Sequence, residues 1–193
     1  MNLTVNEIFY SLQGEGDRMG DPSIFIRLTQ CNLSCDFCDT DFVSGKVMSV
    51  SEILDEIRPF GCQWIVWTGG EPTLQLTDEM VAFFKRKGFF QAIETNGTNR
   101  IPAGIDYISC SPKSNFESVK NFIPEVDELR FPMQTGDLLP DISLLPKAKR
   151  YFLSPVFEEQ RLVCENVVYC VALIKENPQW SLSLQVHKLI EIP

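Results

Sequence analysis

Basic side chains are scarce in this chain of 193 residues: 17 Lys and Arg stand against 26 Asp and Glu, for a net charge of −9 and an isoelectric point near 4.7. That balance excludes a general nucleic-acid or anionic-membrane binder and favours a small-molecule substrate. Nor does any apolar run approach the roughly 20 residues of a membrane span. Met1 to Glu7 hold no basic segment followed by an apolar core, so no secretory leader is expected. With unevenly spaced cysteines, this places the protein in a reducing cytoplasm. Repeats, low-complexity tracts and long linkers are also missing. A hydrophobic share of 44% and an aromatic share of 11% are those of a globular protein, so residues 1–193 are expected to form one domain.

What the chain does have is a knot of thiols. Cys31, Cys35 and Cys38 fall within eight residues, directly after the strand-like run Ser23 to Leu28. Three soft ligands on one loop point to a metal or cluster site. Both tetrahedral zinc and iron–sulfur clusters normally take four ligands. A fourth cysteine is absent nearby, because Cys62, Cys110, Cys164 and Cys170 are scattered singly through apolar segments, where a thiol usually acts as a small hydrophobe. An iron with an open coordination position is a reactive iron; a disulfide loop, a zinc knuckle or a chance grouping are the alternatives.

Short apolar runs alternate with amphipathic ones, the pattern of βα units on a parallel sheet. Strands are expected over Val5–Tyr10, Ile24–Thr29, Trp64–Thr68, Phe89–Thr95, Tyr107–Cys110, Glu128–Phe131, Arg150–Leu153 and Ser181–His187. Ser49 and Glu52 form a capping box ahead of one helix, Thr77 opens a second, and a third is expected from Glu158 to Lys175. Roughly six βα units are fewer than the eight of a closed barrel. The expected fold is therefore α/β, a partial, open TIM-like barrel with ligands at the carboxyl ends of its strands.

The polar motifs follow those strands. Leu12-Gln13-Gly14-Glu15-Gly16 combines glycines that admit a close ligand with side chains able to hydrogen-bond a flat ring. Arg27 lies in the strand before the cysteines, where a guanidinium needs an anionic partner: an internal carboxylate or that of a substrate. Asp39, Thr40 and Asp41 offer oxygen ligands that suit magnesium. In Thr68-Gly69-Gly70-Glu71-Pro72 the glycines let backbone lie against a cofactor and Glu71 could accept from an ammonium group. Glu94 to Gly97, Ser111-Pro112-Lys113 and Leu153-Ser154-Pro155-Val156 end strands with small polar groups. The tail from Leu184 to Pro193 reads as a strand; it carries the chain's one histidine, His187, and ends in a carboxylate suited to a guanidine-like edge.

The cysteine loop, with Phe37 before its last thiol, followed by Gly69-Gly70-Glu71-Pro72, resembles the radical S-adenosylmethionine (SAM) enzymes. The resemblance implies a four-iron, four-sulfur (4Fe–4S) cluster on Cys31, Cys35 and Cys38, with SAM on the remaining iron. From Tyr10 to Pro193 the chain further resembles the branch of that superfamily that makes 7-carboxy-7-deazaguanine, a lyase of queuosine and deazapurine biosynthesis. That likeness implies ring contraction of 6-carboxy-5,6,7,8-tetrahydropterin with loss of ammonia. It implies Phe37, Cys38, Asp39, Gly70, Ser111, Pro112, Lys113 and Leu153 to Val156 around SAM and magnesium on Thr40. For the pterin it implies Leu12, Gln13, Gly14, Arg27, Thr68 and the carboxylate of Pro193, while Glu15 and His187 join them through their motifs. A homodimer and a flavodoxin or ferredoxin donor are implied as well. The chain departs from the pattern at Glu191, where glycine is expected. A glycyl-radical activating enzyme and, from another class, a small iron–sulfur electron carrier are the competing readings.

Overall fold

The computed structural model of the chain describes residues 1–35, 38, 43–113, 116–158 and 160–193. Its sheet has nine strands: β1 (Asn2–Leu12), β2 (Pro22–Leu28), β3 (Lys46–Ser49), β4 (Trp64–Gly69), β5 (Phe90–Thr95), β6 (Tyr107–Cys110), β7 (Glu125–Met133), β8 (Lys147–Pro155) and β9 (Trp180–Leu182). Their order is β3-β1-β2-β4-β5-β6-β7-β8-β9. The hairpin of β1 with β2 and the pairing of β1 with β3 are antiparallel, and every pair from β2 to β9 is parallel. The order ends on β3 at one side and β9 at the other, which is an open, partial TIM-like barrel.

Four of the parallel crossovers carry a helix: α1 (Val50–Ile57), α2 (Asp78–Arg86), α3 (Phe116–Phe122) and α4 (Cys164–Glu176). The Ser49 hydroxyl accepts from Glu52 N while the Glu52 carboxylate accepts from Ser49 N, so the expected capping box opens α1. Thr77 caps α2 through Met80 N. β3 and α3 are short elements that the sequence pattern did not announce.

Two expectations are corrected. The third helix begins at Cys164, not Glu158, because Glu158 and Arg161 exchange backbone hydrogen bonds of 3.0 and 2.8 Å and turn the chain first. The tail is not a strand to its end: β9 stops at Leu182, and a short helix, α5 (Val186–Leu189), follows. Ser183 N donates to Leu153 O at 3.0 Å and Val186 N to Gly14 O at 3.0 Å, so the backbone leaves the sheet edge for the glycine turn.

Side-chain alternation divides the sheet into two faces. Ile24, Ile26, Leu28, Ile65, Trp67 and Ile93 point outward and pack on Ile53, Leu54, Ile57, Met80, Val81 and Phe84 of α1 and α2. Each such aliphatic side chain, fully buried, contributes about 1.5–3 kcal/mol. The concave face starts apolar with Phe25, Val66 and Ala92. One step nearer the carboxyl ends, the same strands present Arg27, Thr68, Glu94, Ser109, Arg130 and Ser154. Arg27 pairs with Thr68 and Glu94 with Ser109 in register, so this polar layer runs across the sheet.

Candidate functional site

A cavity of about 1560 Å³ opens above that layer. Most of the parallel strands contribute at their carboxyl ends or through the loop that follows. Cys31, Cys35 and Cys38 come after β2, Gly69 and Gly70 at the end of β4, Asn96 after β5, Ser111 and Lys113 after β6, and Pro155 and Val156 at the end of β8. Leu12, Gln13, Gly14 and Glu15 enter from the end of β1, and Gln185, His187, Ile192 and Pro193 from the tail. The His187 ring lies on Gly14, where a Cβ would stand 2.0 Å from Nδ1, so only glycine lets the tail dock there. Gly16 N donates to the Ser183 hydroxyl at 2.9 Å, a second tie between turn and tail.

Beneath the cavity Arg130, 5% exposed, meets three carboxylates. It pairs with Glu15, with Glu94 at 2.8 Å and with Glu128 at 3.1 Å, and its Nε donates to Ser109 Oγ at 3.0 Å. Burial works against its charge, yet Glu94, Glu15 and Glu128 together raise its pKa above that of an ordinary arginine. For Glu94 burial likewise favours the neutral form, and Arg130 with the Gln13 amide outweighs it and lowers the pKa. Glu128 accepts from Asp17 N, Tyr107 Oη and Ser109 Oγ at 2.8, 2.9 and 2.8 Å. Lys113 donates to Ser111 Oγ at 2.7 Å, and burial brings its pKa below the usual lysine value against the opposing pull of Cys35.

Most of the expected site residues therefore line one volume, but several do so in a different manner. Arg27 already pairs with Glu7 at 2.7 Å through Nε while bordering the cavity. The Gln13 amide donates to Glu94 at 2.9 Å and its oxygen accepts from Glu15 N, while Glu15 pairs with Arg130, so neither side chain simply waits for a ring. Glu71 sits differently from its expectation: its carboxylate is fully buried and accepts from Thr73, Thr95 and Asn96. Leu153 points into the core and Pro112 is buried away from the lining, leaving backbone and neighbours to act at those positions. Cys164, expected among buried thiols, is exposed at the start of α4. Phe37, Asp39 and Thr40 lie outside the described residues. Sequence reasoning missed Arg130 and Glu128; opposite charges two residues apart in a strand lie on one face, and that signal was available.

The donor set fits a cluster with SAM beside it. Cys31, Cys35 and Cys38 border one cavity, and a cubane takes one thiolate per iron. Cys110, beneath Gly97, is buried and outside the cavity lining, and burial first and then Glu71 push its pKa up to about 12. Gly70 backs so tightly onto Gln30, the residue before Cys31, that a Cβ would fall 1.9 Å from its carbonyl oxygen. Across the cavity the Ser154 hydroxyl is buried and has no hydrogen-bond partner among the described residues, a polar atom suited to a ligand.

A model of the radical SAM superfamily matches residues 25–137, more than half of the chain, and the chain belongs to that superfamily, whose cofactors are a 4Fe–4S cluster and SAM. The 7-carboxy-7-deazaguanine synthase of Bacteroides thetaiotaomicron is 41% identical over 192 residues and all of both chains. That of Haemophilus influenzae is 43% identical over 99% of this chain and 94% of its own. The crystal structure of QueE from Escherichia coli matches with a TM-score of 0.75 and 25% identity, over 97% of this chain and 95% of that one. Within the superfamily, the chain is a member of the 7-carboxy-7-deazaguanine synthase family. Among the described residues no helix is long and apolar enough to cross a membrane.

Proposed function

We propose that the chain converts 6-carboxy-5,6,7,8-tetrahydropterin to 7-carboxy-7-deazaguanine with loss of ammonia. One observation carries this reading: the thiols, Gly70, Lys113, Arg27 and the terminal Pro193 all border the same cavity of about 1560 Å³. Single small-molecule sites take about 300–1,000 Å³, so this volume suits a cluster and two ligands together.

Cys31, Cys35 and Cys38 would hold the cluster. Gly70, Ser111, Lys113 and Ser154 to Val156 would surround SAM, with the Lys113 ammonium facing its carboxylate and the unsatisfied Ser154 hydroxyl finding a partner. When bound, the cluster and SAM supply the one-electron chemistry that removes hydrogen from C6 of the pterin. The protein's part is placement. Arg27 is positioned to grip the pterin carboxylate with its remaining guanidinium donors, Thr68 stands beside it in register, and Leu12 to Glu15 border the ring. The Pro193 carboxylate is an acceptor for the guanidine-like edge. Thr40, as the proposed magnesium ligand, would steady the same substrate carboxylate. The tail folded across Gly14 excludes water and favours a small substrate over a partner protein's backbone. A flavodoxin or ferredoxin donor, a homodimeric state and a reducing cytoplasm complete the reading.

The test is anaerobic incubation with SAM, dithionite, magnesium and the carboxytetrahydropterin, followed by mass spectrometry. The expected product is 7-carboxy-7-deazaguanine; its absence from protein with a full cluster overturns the substrate assignment. Residues appended after Pro193 should suppress the product, and an extended chain with full activity would remove the terminal carboxylate from the site.

A further inference from the structure

We propose that Glu71 is a positioning residue that locks the cysteine loop in place, and not a ligand of SAM. The inference rests on the reading of the three thiols as cluster ligands. The Glu71 side chain is 0% exposed and lies outside the cavity lining. Its Oε1 accepts from Thr73 N at 3.1 Å, Thr73 Oγ1 at 2.6 Å and Thr95 Oγ1 at 2.7 Å, and its Oε2 accepts from Asn96 N at 2.7 Å. Three donors crowd Oε1 and one holds Oε2, so the buried carboxylate is already tied to two loops. An ammonium group could gain Glu71 only by displacing the turn that shapes the site.

Those donors belong to the turn after β4 and to the end of β5 with the loop that follows it, and both segments hydrogen-bond to the residues flanking Cys31. Glu71 N donates to Gln30 O at 2.8 Å, and Gln30, immediately before Cys31, is held in the left-handed region with a φ of 69°. A residue with a Cβ keeps that conformation only where its surroundings impose it. From the other side, Asn96 Nδ2 donates to Asn32 Oδ1 at 3.0 Å, Asn32 Nδ2 to Thr98 Oγ1 at 2.7 Å, and Thr98 Oγ1 to Asn96 Oδ1 at 2.7 Å. That closed ring leaves each amide a single orientation. Both neighbours of Cys31 are thus fixed by Glu71, one through its peptide and one through the turn its carboxylate holds. The first thiol is set before any cluster arrives, which lowers the ordering cost of ligation and slows its loss.

The test compares wild type, Glu71→Gln and Asn32→Ala after identical anaerobic reconstitution. Two quantities are read: the rate at which an iron chelator strips the cluster, and the affinity of the loaded protein for SAM. Residues that orient metal ligands typically change retention by about 10–100-fold. Glu71→Gln puts an amide donor among four donors and should release iron roughly tenfold faster, with SAM affinity within about threefold of wild type. Asn32→Ala, on an exposed loop, should move retention in the same direction by less, and it carries the test should Glu71→Gln fail to fold. Unchanged retention in Asn32→Ala, or in a folded Glu71→Gln whose SAM affinity has collapsed, overturns the inference. A wild-type chain that takes up no cluster overturns the reading of the thiols and this inference with it.

Discussion

Between the sheet and its helices the chain packs aliphatic side chains against one another, whereas the concave face of the same strands carries Arg27, Glu94, Glu128 and Arg130. Ile93 is completely buried under α2, while its neighbour Glu94 borders the cavity. The two faces are stabilised by different physics. The convex face gains from area removed from water and tolerates any well-packed hydrophobe. The concave face keeps charges out of bulk water and depends on every one of them having its partner.

That contrast can be broken most sharply at Arg130. Arg130→Met leaves Glu15, Glu94 and Glu128 together without their shared cation, and stability should fall by about 3–5 kcal/mol. Anaerobic denaturant unfolding measures this; a loss below about 1 kcal/mol would show that the carboxylates do not need the arginine. Acid should act on the same network. Because the folded-state pKa of Glu94 is depressed, its contribution is fully present above the unfolded value of about 4.3 and is lost as pH falls through the lower folded value. Glu94→Gln should therefore flatten the fall of stability below about pH 4.3, and an unchanged acid limb would place the titration elsewhere. On the convex face Ile26→Val should cost only about 0.5–1.5 kcal/mol, with product formation intact. A variant that kept its stability but lost activity would mean that the two faces are not independent. The smallest effect is expected at Glu191, which takes a φ of 57°, a left-handed conformation that favours glycine. Glu191→Gly should stabilise the tail by about 0.5–1 kcal/mol, visible as slower amide exchange at Ile192.

These faces also differ in what a reader of the sequence could recover. Ile24, Ile26 and Leu28, or Ile65 and Trp67, disclose strand and core because period and hydrophobicity agree, and the capping box at Ser49 fixes the start of α1. The three cysteines and Gly70, singled out by their spacing, border the same cavity. Glu71, Gln13 and Glu15 were legible as polar residues near a site, but their internal partners were not. Whether a carboxylate faces a ligand or a neighbouring loop depends on Thr95, Asn96 and Arg130, which are far away in sequence. The tail failed for a related reason: its strand-like pattern is overridden where β8 ends and Gly14 offers a carbonyl.

The account stands most directly on the thiols, and the decisive measurement is iron and sulfide per chain in anaerobically reconstituted wild type and Cys35→Ala. It predicts about four of each in the wild type and almost none in the variant, because three thiolates are the whole of the protein's hold on the cluster. Equal iron in the two proteins would contradict it.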